Sequence, residues 1–315
     1  MRAQAFWTVG AGKGELRAEI LPVAGSDEVL VRALASGVSR GTEALVFSGR
    51  VPAGQFEAMR APLMAGSFPF PVKYGYSVVG EREDGARVFV LHPHQDRFYA
   101  PAAMCVPVPG NVPTRRAVLA ANMETALNLC WDAAPLAGER VLVIGAGVVG
   151  LLAASLLVRV PAVAVTVVDV NPARAALAQR LGCAFALPDA APADQELIVH
   201  ASASEAGLRL ALDRAAFEGR IVEASWYGDL APSVPLGEGF HSRRLRLIAS
   251  QVGAVAPAMR GRRTHAERLA IALALLADPA YDALLEGPTR FQDLPEAMPG
   301  ILAPGGLCHV ITYEN

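Results

Sequence analysis

The segment VLVIGAGVVG, residues 141–150, restricts the fold of this chain more than any other feature. An apolar run ends in three glycines with the spacing G-x-G-x-x-G, and the residues of this loop and helix start are Gly145, Gly147, Val148, Val149 and Gly150. In a strand–turn–helix unit the first glycine permits the tight turn. The second lets the backbone approach a pyrophosphate, and the third lets the helix pack closely on the strand. The segment therefore predicts a dinucleotide-binding βαβ unit, with the helix N-terminus facing the phosphates.

Asp169 ends the next apolar run, VTVVDV, about twenty residues after the glycines, where dinucleotide-binding folds carry an acidic residue. A carboxylate there accepts hydrogen bonds from the ribose hydroxyls and repels a 2′-phosphate, so we predict NAD rather than NADP. The alternative for Asp169 is the N-cap of the following helix. Arg174 is either a partner for a 2′-phosphate or a residue on the solvated face of that helix.

The pattern of predicted strands and helices changes twice along the chain. Residues 1–115 contain short β-type runs separated by Gly and Pro, which is typical of a small antiparallel barrel. Residues 116–255 alternate strand-like and helix-like segments, which predicts βαβ units and a parallel sheet. Residues 256–315 add one helix and a closing segment.

Composition excludes several classes of protein. The net charge is −2 over 315 residues, which gives no electrostatic reason to expect nucleic acid or an anionic membrane as a partner. No signal pattern opens the chain and no uninterrupted apolar run is long enough to span a bilayer, so we expect a cytoplasmic protein. The cysteines lack C-x-x-C pairing, which argues against disulfides and structural zinc: Cys105, Cys130, Cys183 and Cys308.

Several segments together resemble the medium-chain dehydrogenase/reductase superfamily. They are EVLVRALASGVSRGTE, FPVKYGYSVVGE, GARV, VLVIGAGVVG and RFQDLPEAM. The resemblance implies an α/β protein in which a GroES-like β-barrel catalytic domain, built from both chain ends, surrounds an inserted Rossmann domain. It also implies an active site in the cleft between the domains and assembly as a dimer or tetramer, of which we expect the homodimer.

Within that superfamily, GVSRGTEALVFSGRVP and YGYSVVG are most similar to one branch. It contains the bacteriochlorophyllide 2-hydroxyethyl dehydrogenase of photosynthetic bacteria. The resemblance implies an NAD-linked oxidation of a hydroxyethyl group on a large tetrapyrrole-like substrate. Other segments, HPHQDRF and FHSRRLRLIASQVG, are more typical of uncharacterised relatives in the branch.

The chain departs from the zinc enzymes of the superfamily at the metal-binding positions. Ser39 stands where they have Cys, and Tyr76 and Ser77 stand where they have His-Glu. A catalytic zinc ion needs about three deprotonated soft or imidazole ligands, so we predict that none is bound. His92 and His94 are either polar groups on a barrel loop, part of the substrate pocket with Ser39, or a relocated metal site. We expect both to point the same way, as alternate strand positions do.

Without zinc, hydrogen-bond donors and a proton relay must assist hydride transfer. Tyr76 is the first candidate, either as a proton donor or as an aromatic side chain that only lines the site. Lys73 either lowers the pKa of Tyr76 or is a surface lysine. Thr42 is either the relay hydroxyl or a cap of the helix EALVFSG.

The resemblance supplies further candidates. Arg40 is expected to reach the cofactor pyrophosphate, with a surface arginine as the alternative. Thr125 is expected behind the nicotinamide, and Glu124 is either a base or a carboxylate on a helix face. His200, at a strand end, either contacts the cofactor or is a satisfied histidine. The next strand ends in two aromatic residues expected to shape the substrate pocket, Trp226 and Tyr227.

These observations favour a zinc-independent, NAD(H)-dependent oxidoreductase that interconverts a secondary alcohol and a ketone on a fairly large small-molecule substrate. The first alternative is an NADPH-dependent enoyl or quinone reductase, which needs no metal. The second is a non-catalytic NAD(H)-binding regulator, because loss of the zinc ligands is also what decay of a catalytic site would produce. The final strand CHVITYEN and the edge-type segment RLRLIASQV suit pairing in a homodimer.

Overall fold

The computed structural model describes residues 1–314. The strands are β1 Arg2–Gly10, β2 Lys13–Ile20, β3 Glu28–Val38, β4 Ala65–Gly66, β5 Val72–Lys73, β6 Val78–Arg82, β7 Arg87–Val90, β8 Arg97–Pro101, β9 Val106–Pro107, β10 Arg140–Ile144, β11 Ala164–Val168, β12 Ala184–Ala186, β13 Gln195–His200, β14 Ala215–Glu223, β15 Arg246–Ala249, β16 Leu285–Arg290 and β17 Cys308–Thr312. The α-helices are α1 Arg40–Phe47, α2 Thr114–Ala117, α3 Ala120–Ala133, α4 Val148–Leu157, α5 Ala175–Arg180, α6 Glu205–Arg214, α7 His265–Leu275 and α8 Leu294–Ile301.

The chain divides into two compact units, which we call the barrel unit (residues 1–121 and 269–315) and the nucleotide unit (residues 122–268). The second division lies thirteen residues beyond the one expected at residue 255. The reason is packing on α3: the backbone N–H of Ala256 donates to Asn128 Oδ1 at 3.0 Å, and the buried Arg268 donates to the same oxygen at 2.6 Å.

The sheet of the nucleotide unit confirms the predicted Rossmann arrangement. Six strands follow the order β12-β11-β10-β13-β14-β15, and every neighbouring pair is parallel. Three apolar residues on its central strands are completely buried: Leu142, Ile198 and Ile221. Because all strands run the same way, the loops that follow them gather at one edge, where ligands of such sheets bind.

The barrel unit contains a seven-stranded sheet of order β16-β17-β3-β6-β7-β9 with β8 paired to β3, and a four-stranded sheet of order β2-β1-β5-β4. All pairings are antiparallel except β16 with β17. Strand β17 pairs with β3, so both ends of the chain form one sheet, as the sequence predicted. The core between them includes Phe6, Val31, Phe98 and Phe291.

Helix α1 begins earlier than the sequence indicated. Its N-cap is Ser39 and its first residue is Arg40, so Thr42 lies inside the first turn and does not cap the helix. Within residues 1–314, no helix combines the length and apolar character needed to cross a membrane.

Candidate functional site

The glycine loop of the nucleotide unit has the geometry that its spacing predicted. Gly145 follows β10 with φ of +107°, and a Cβ on Gly150 would lie 1.9 Å from the Gly145 carbonyl oxygen. The protein itself therefore requires both glycines. Gly147 is exposed and has no atom within 4 Å of a Cβ position, which leaves its backbone open to a ligand. Since α4 starts directly after Gly147, the loop fits a pyrophosphate.

Asp169 lies against this loop. Its Oδ2 accepts from the Ala146 N–H at 2.7 Å, and its Oδ1 accepts from the Asn171 N–H at 2.8 Å. Asn171, not Asp169, caps the following turn, because its side chain accepts from the Ala173 N–H. The N-cap alternative for Asp169 is thus wrong, and the half-buried carboxylate keeps lone pairs for a ribose. Arg174 is half-buried at the end of the same turn.

His200 ends β13 and is completely buried. Its Nδ1 lies 2.7 Å from Glu223 Oε2, and its Nε2 lies 2.6 Å from Ser202 Oγ. Tyr227 also donates to Glu223 Oε2, at 3.1 Å. Burial acts to raise the pKa of Glu223, but the hydrogen bond and charge of His200 and the hydrogen bonds from Ser225 together outweigh it, so the pKa is lowered. With both ring nitrogens hydrogen-bonded, His200 matches the alternative interpretation, a satisfied histidine that does not contact the cofactor. Trp226, which precedes Tyr227 in the chain, is half-buried.

Glu124, on α3, is buried and pairs with a buried arginine. Arg268 Nε donates to Glu124 Oε1 at 3.0 Å, and the same guanidinium donates to the carbonyls of Val252 and Ala254. Burial raises the pKa of Glu124, although Arg268 acts in the opposite direction. The arrangement gives Glu124 a structural task, which favours the helix-face alternative over a base. Thr125, the next residue, is half-buried.

A chain of buried polar side chains crosses the barrel unit, and its members come from four separate segments. Tyr313 hydroxyl lies 2.8 Å from Ser36 Oγ, which lies 2.8 Å from His94 Nδ1. His94 Nε2 lies 2.9 Å from Glu43 Oε2, and Glu43 Oε1 accepts from the Ser39 N–H at 2.7 Å. We call Tyr313, Ser36, His94 and Glu43 the polar chain. The sequence analysis missed its connection because these residues are far apart along the polypeptide.

Tyr76 lies at the end of the polar chain. Its hydroxyl hydrogen-bonds to the side chains of Ser39 and Thr42, so three of the predicted residues do come together. Burial, with the Glu43 carboxylate acting in the same direction, raises the pKa of Tyr76 to about 12. The expected lowering of this pKa is therefore wrong.

Lys73 has other partners. Its Nζ donates to Glu19 Oε2 and to Gln95 Oε1, each at 2.8 Å, and it lies 5.9 Å from the ring centre of Trp7. The side chain is buried in this cluster, so it is not the surface lysine of the alternative interpretation either. Its charge compensates Glu19.

His92 and His94 are both buried, but they serve different surroundings. Residues 91–94 are not in a strand, so the expected common orientation does not hold. His92 stacks on Phe98 with ring centres 3.5 Å apart and donates from Nδ1 to the Pro93 carbonyl at 2.8 Å. Burial lowers the pKa of His92 to about 3. His94 belongs to the polar chain.

The residues present at the zinc position do not fit a zinc ion. Ser39 and Tyr76 offer hydroxyls that are bonded to each other, and Ser77 Oγ donates to the Val118 carbonyl. Both ring nitrogens of His94 have partners in the polar chain. Among the described residues 1–314, no three His, Cys, Asp or Glu side chains are grouped to hold a metal ion.

Arg40, the first residue of α1, is half-buried. It lines a surface cavity of the barrel unit together with Glu286 and His309. Burial lowers the pKa of His309, Glu286 opposes this shift, and Arg40 reinforces it. The guanidinium packs so closely on Gly306 that a Cβ at this position would overlap it.

Comparison with known proteins supports the fold described above. Residues 132–206 match the family model for the alanine dehydrogenase/PNT C-terminal domain. No curated protein matches the sequence.

Solved structures match over the whole chain. Benzyl alcohol dehydrogenase from Acinetobacter calcoaceticus has a TM-score of 0.79 and 16% identity, with 100% of each chain covered. A short chain alcohol dehydrogenase from E. coli CFT073, in complex with NADH, has a TM-score of 0.78 and 16% identity, with 99% of each chain covered. A protein described as a zinc-binding dehydrogenase from Sinorhizobium meliloti 1021, bound to NADP, has a TM-score of 0.79 and 17% identity, with 99% of each chain covered. The fold is therefore a GroES-like barrel with a Rossmann domain, as predicted.

Proposed function

We propose that this chain is an NAD(H)-dependent oxidoreductase that interconverts a secondary alcohol and a ketone without a catalytic zinc ion. The observation that carries the proposal is the Tyr76 hydroxyl, held by Ser39 and Thr42 where zinc enzymes of similar fold bind their metal. A buried phenol that remains protonated is a hydrogen-bond donor for a carbonyl oxygen. In the nucleotide unit, the glycine loop offers a fitting cradle for a dinucleotide.

The cofactor supplies the hydride when it is bound. Asp169 is the residue that selects it, because a carboxylate beside the loop accepts from ribose hydroxyls and repels a 2′-phosphate. We therefore propose NAD(H) over NADP(H). Arg40 is proposed to bind the pyrophosphate, and Thr125 to line the cofactor site.

The catalytic set that we propose is smaller than the one read from the sequence. Tyr76 donates to the substrate oxygen, and Ser39 and Thr42 hold its hydroxyl in place. Glu124 is not included because its charge is compensated by Arg268. Lys73 is not included because its ammonium group binds Glu19 and Gln95.

The substrate is proposed to be a fairly large, partly aromatic alcohol or ketone, tetrapyrrole-like in the closest resemblance. Trp226 and Tyr227 remain the proposed pocket residues, whereas His92 and His94 are buried and held by other contacts. The protein is proposed to act in the cytoplasm as a homodimer. Strand β15 supports this assembly, since it ends the six-stranded sheet and Leu247 on it is 40% exposed. Light scattering that shows a monomer would exclude the dimer.

Two measurements test the function. Calorimetry should show NADH binding more tightly than NADPH, and a panel of aryl ketones, enones and alcohols should show turnover that a chelator does not abolish. Tyr76→Phe should lower kcat by about 10²- to 10⁴-fold, the usual contribution of a positioned proton donor, with NADH affinity unchanged. Turnover of enones alone would identify a reductase of C=C bonds. NADH binding without any turnover would identify a regulator, and stoichiometric zinc would overturn the metal-free site.

A further inference from the structure

Glu43 differs from the other buried carboxylates in the kind of partner that it has. The residue is 3% exposed, and its two oxygens accept from the Ser39 N–H and face His94 Nε2. An N–H group of the backbone is neutral. The charge state of His94 therefore decides whether Glu43 is compensated.

The hydrogen bonds of the polar chain favour a neutral His94. With the Nε2–H tautomer, Tyr313 donates to Ser36, Ser36 donates to His94 Nδ1, and His94 donates to Glu43. Every proton then has an acceptor. With an imidazolium ring, Ser36 would have to donate to the Tyr313 hydroxyl, whose own proton would lose its acceptor. An unsatisfied buried donor costs on the order of 1–3 kcal/mol, so the neutral ring is preferred.

We infer that the polar chain fixes an ionised, uncompensated carboxylate at Glu43 next to Tyr76, and that this charge reinforces burial in keeping Tyr76 in the phenol form that donates a proton in carbonyl reduction. The inference rests on the proposed function for its catalytic part. Its electrostatic part concerns the chain alone.

The other groups that face Tyr76 do not offset this charge. Burial raises the pKa of Cys308, on β17, to about 12 and raises that of Tyr74, whose ring meets Tyr76 edge-on at 6.0 Å. Both groups are therefore neutral at physiological pH. The hydroxyls of Ser39 and Thr42 favour the phenolate, but burial and Glu43 outweigh them.

The pH dependence of the rate in each direction follows from the proton balance. In reduction, a hydride forms the new C–H bond, the C=O π bond breaks, and the Tyr76 proton passes to the oxygen; the phenolate then regains a proton from water. Oxidation of the alcohol needs the phenolate as acceptor, which Glu43 makes scarce. The reduction rate should therefore be independent of pH over the range in which Tyr76 stays protonated. The oxidation rate should rise about tenfold per pH unit over the same range.

The first test titrates Tyr76 without any substrate. Phenolate absorbance at 295 nm is followed against pH in the native chain and in Tyr76→Phe, and the difference reports Tyr76. Glu43→Gln should lower the pKa of Tyr76 by one unit or more. Glu81→Gln removes a half-buried carboxylate from β6 of the same unit, where it pairs with Arg32, and should leave the pKa of Tyr76 unchanged. Equal titrations of Tyr76 in the two variants would overturn the inference.

The second test needs no variant. Nitrogen-15 spectra of the histidine rings at pH 7 should show His94 as the neutral Nε2–H tautomer, and an imidazolium signal would overturn the inference. Where turnover is established, kcat/KM for reduction should stay flat from pH 6 to 10 in the native chain, and its fall at higher pH should begin at a lower pH in Glu43→Gln than in the native chain. A fall within that range in the native chain would contradict the electrostatic role. Absence of turnover would instead count against the proposed function, since the titration does not depend on it.

Discussion

Glu43 and Glu124 are both buried carboxylates near the start of a helix, one in each unit, yet their surroundings oppose each other. Glu124 pairs with Arg268, a permanent cation that is itself 1% exposed. Glu43 faces a backbone N–H and a histidine ring. The first carboxylate is neutralised where it stands, whereas the charge of the second acts on a neighbour, Tyr76.

The difference shows that burial alone does not indicate a catalytic carboxylate. A buried ion pair satisfies its own charges and holds segments together; here Arg268 ties α3 to residues 252–254. A carboxylate held by neutral donors keeps a field that can shift the protonation of another group. The partner's charge, read from the structure, separates the two cases.

The largest expected effect concerns stability. Glu124→Gln leaves the Arg268 guanidinium buried without its counter-ion, so the free energy of unfolding should fall by about 3–5 kcal/mol. Glu43→Gln breaks no ion pair and should cost only about 1–1.5 kcal/mol, the net contribution of a hydrogen bond. Urea unfolding of both variants measures the contrast. A larger loss for Glu43→Gln would mean that the compensation has been assigned to the wrong carboxylate.

The sequence was sufficient for the nucleotide unit because its signal is local. Within six residues, the spacing of the glycines indicates a tight turn at Gly145, backbone open to a ligand at Gly147, and close contact between helix and strand at Gly150. The polar chain has no such signal. Ser36 and Tyr313 meet because β17 pairs with β3 at opposite ends of the polypeptide, and no local pattern encodes that pairing.

Tyr76 also shows what the sequence alone could not predict. Its position beside Ser39 and Thr42 followed from the resemblance, but the sign of its pKa shift did not. That sign depends on which charge lies nearby, and Lys73, close in sequence, turns out to bind Glu19.

The second prediction extends the comparison to a buried base without a charged partner. The pKa of His92 is about 3, below its usual 6.5, so the unfolded chain binds a proton in that window and the folded chain does not. Stability should be fully present above pH 6.5 and fall by about 1.4 kcal/mol per pH unit as the pH drops toward 3. His92→Phe keeps the stack on Phe98 and should remove this part of the slope.

Urea midpoints at pH 7, 6 and 5 measure the slope, and His241→Gln, at an exposed position, is the matched control. A slope in His92→Phe that equals that of the native chain would show that the buried ring does not carry the acid sensitivity.

Asp169 is a third carboxylate to compare with Glu43. Like Glu43 it is held by neutral N–H donors, but it is half-exposed, so its charge is available to a ligand. Asp169→Asn keeps an acceptor for the Ala146 N–H and removes the charge that repels a 2′-phosphate. The NADH/NADPH affinity ratio should fall roughly tenfold, measured by calorimetry. An unchanged ratio would show that Asp169 serves only to hold the loop.

The smallest effect is expected at Lys73, which resembles Arg268 in pairing with a carboxylate. Lys73→Met should leave the pKa of Tyr76 unchanged, because the ammonium charge is compensated by Glu19 at 2.8 Å. The free energy of unfolding should fall by about 1 kcal/mol, since the pair is only partly buried. Tyrosine absorbance measures the first and urea unfolding the second. A shifted Tyr76 titration would mean that the Lys73 charge does affect the pKa of Tyr76. Pairing with Glu19 would then be insufficient to cancel the effect of that charge on the site.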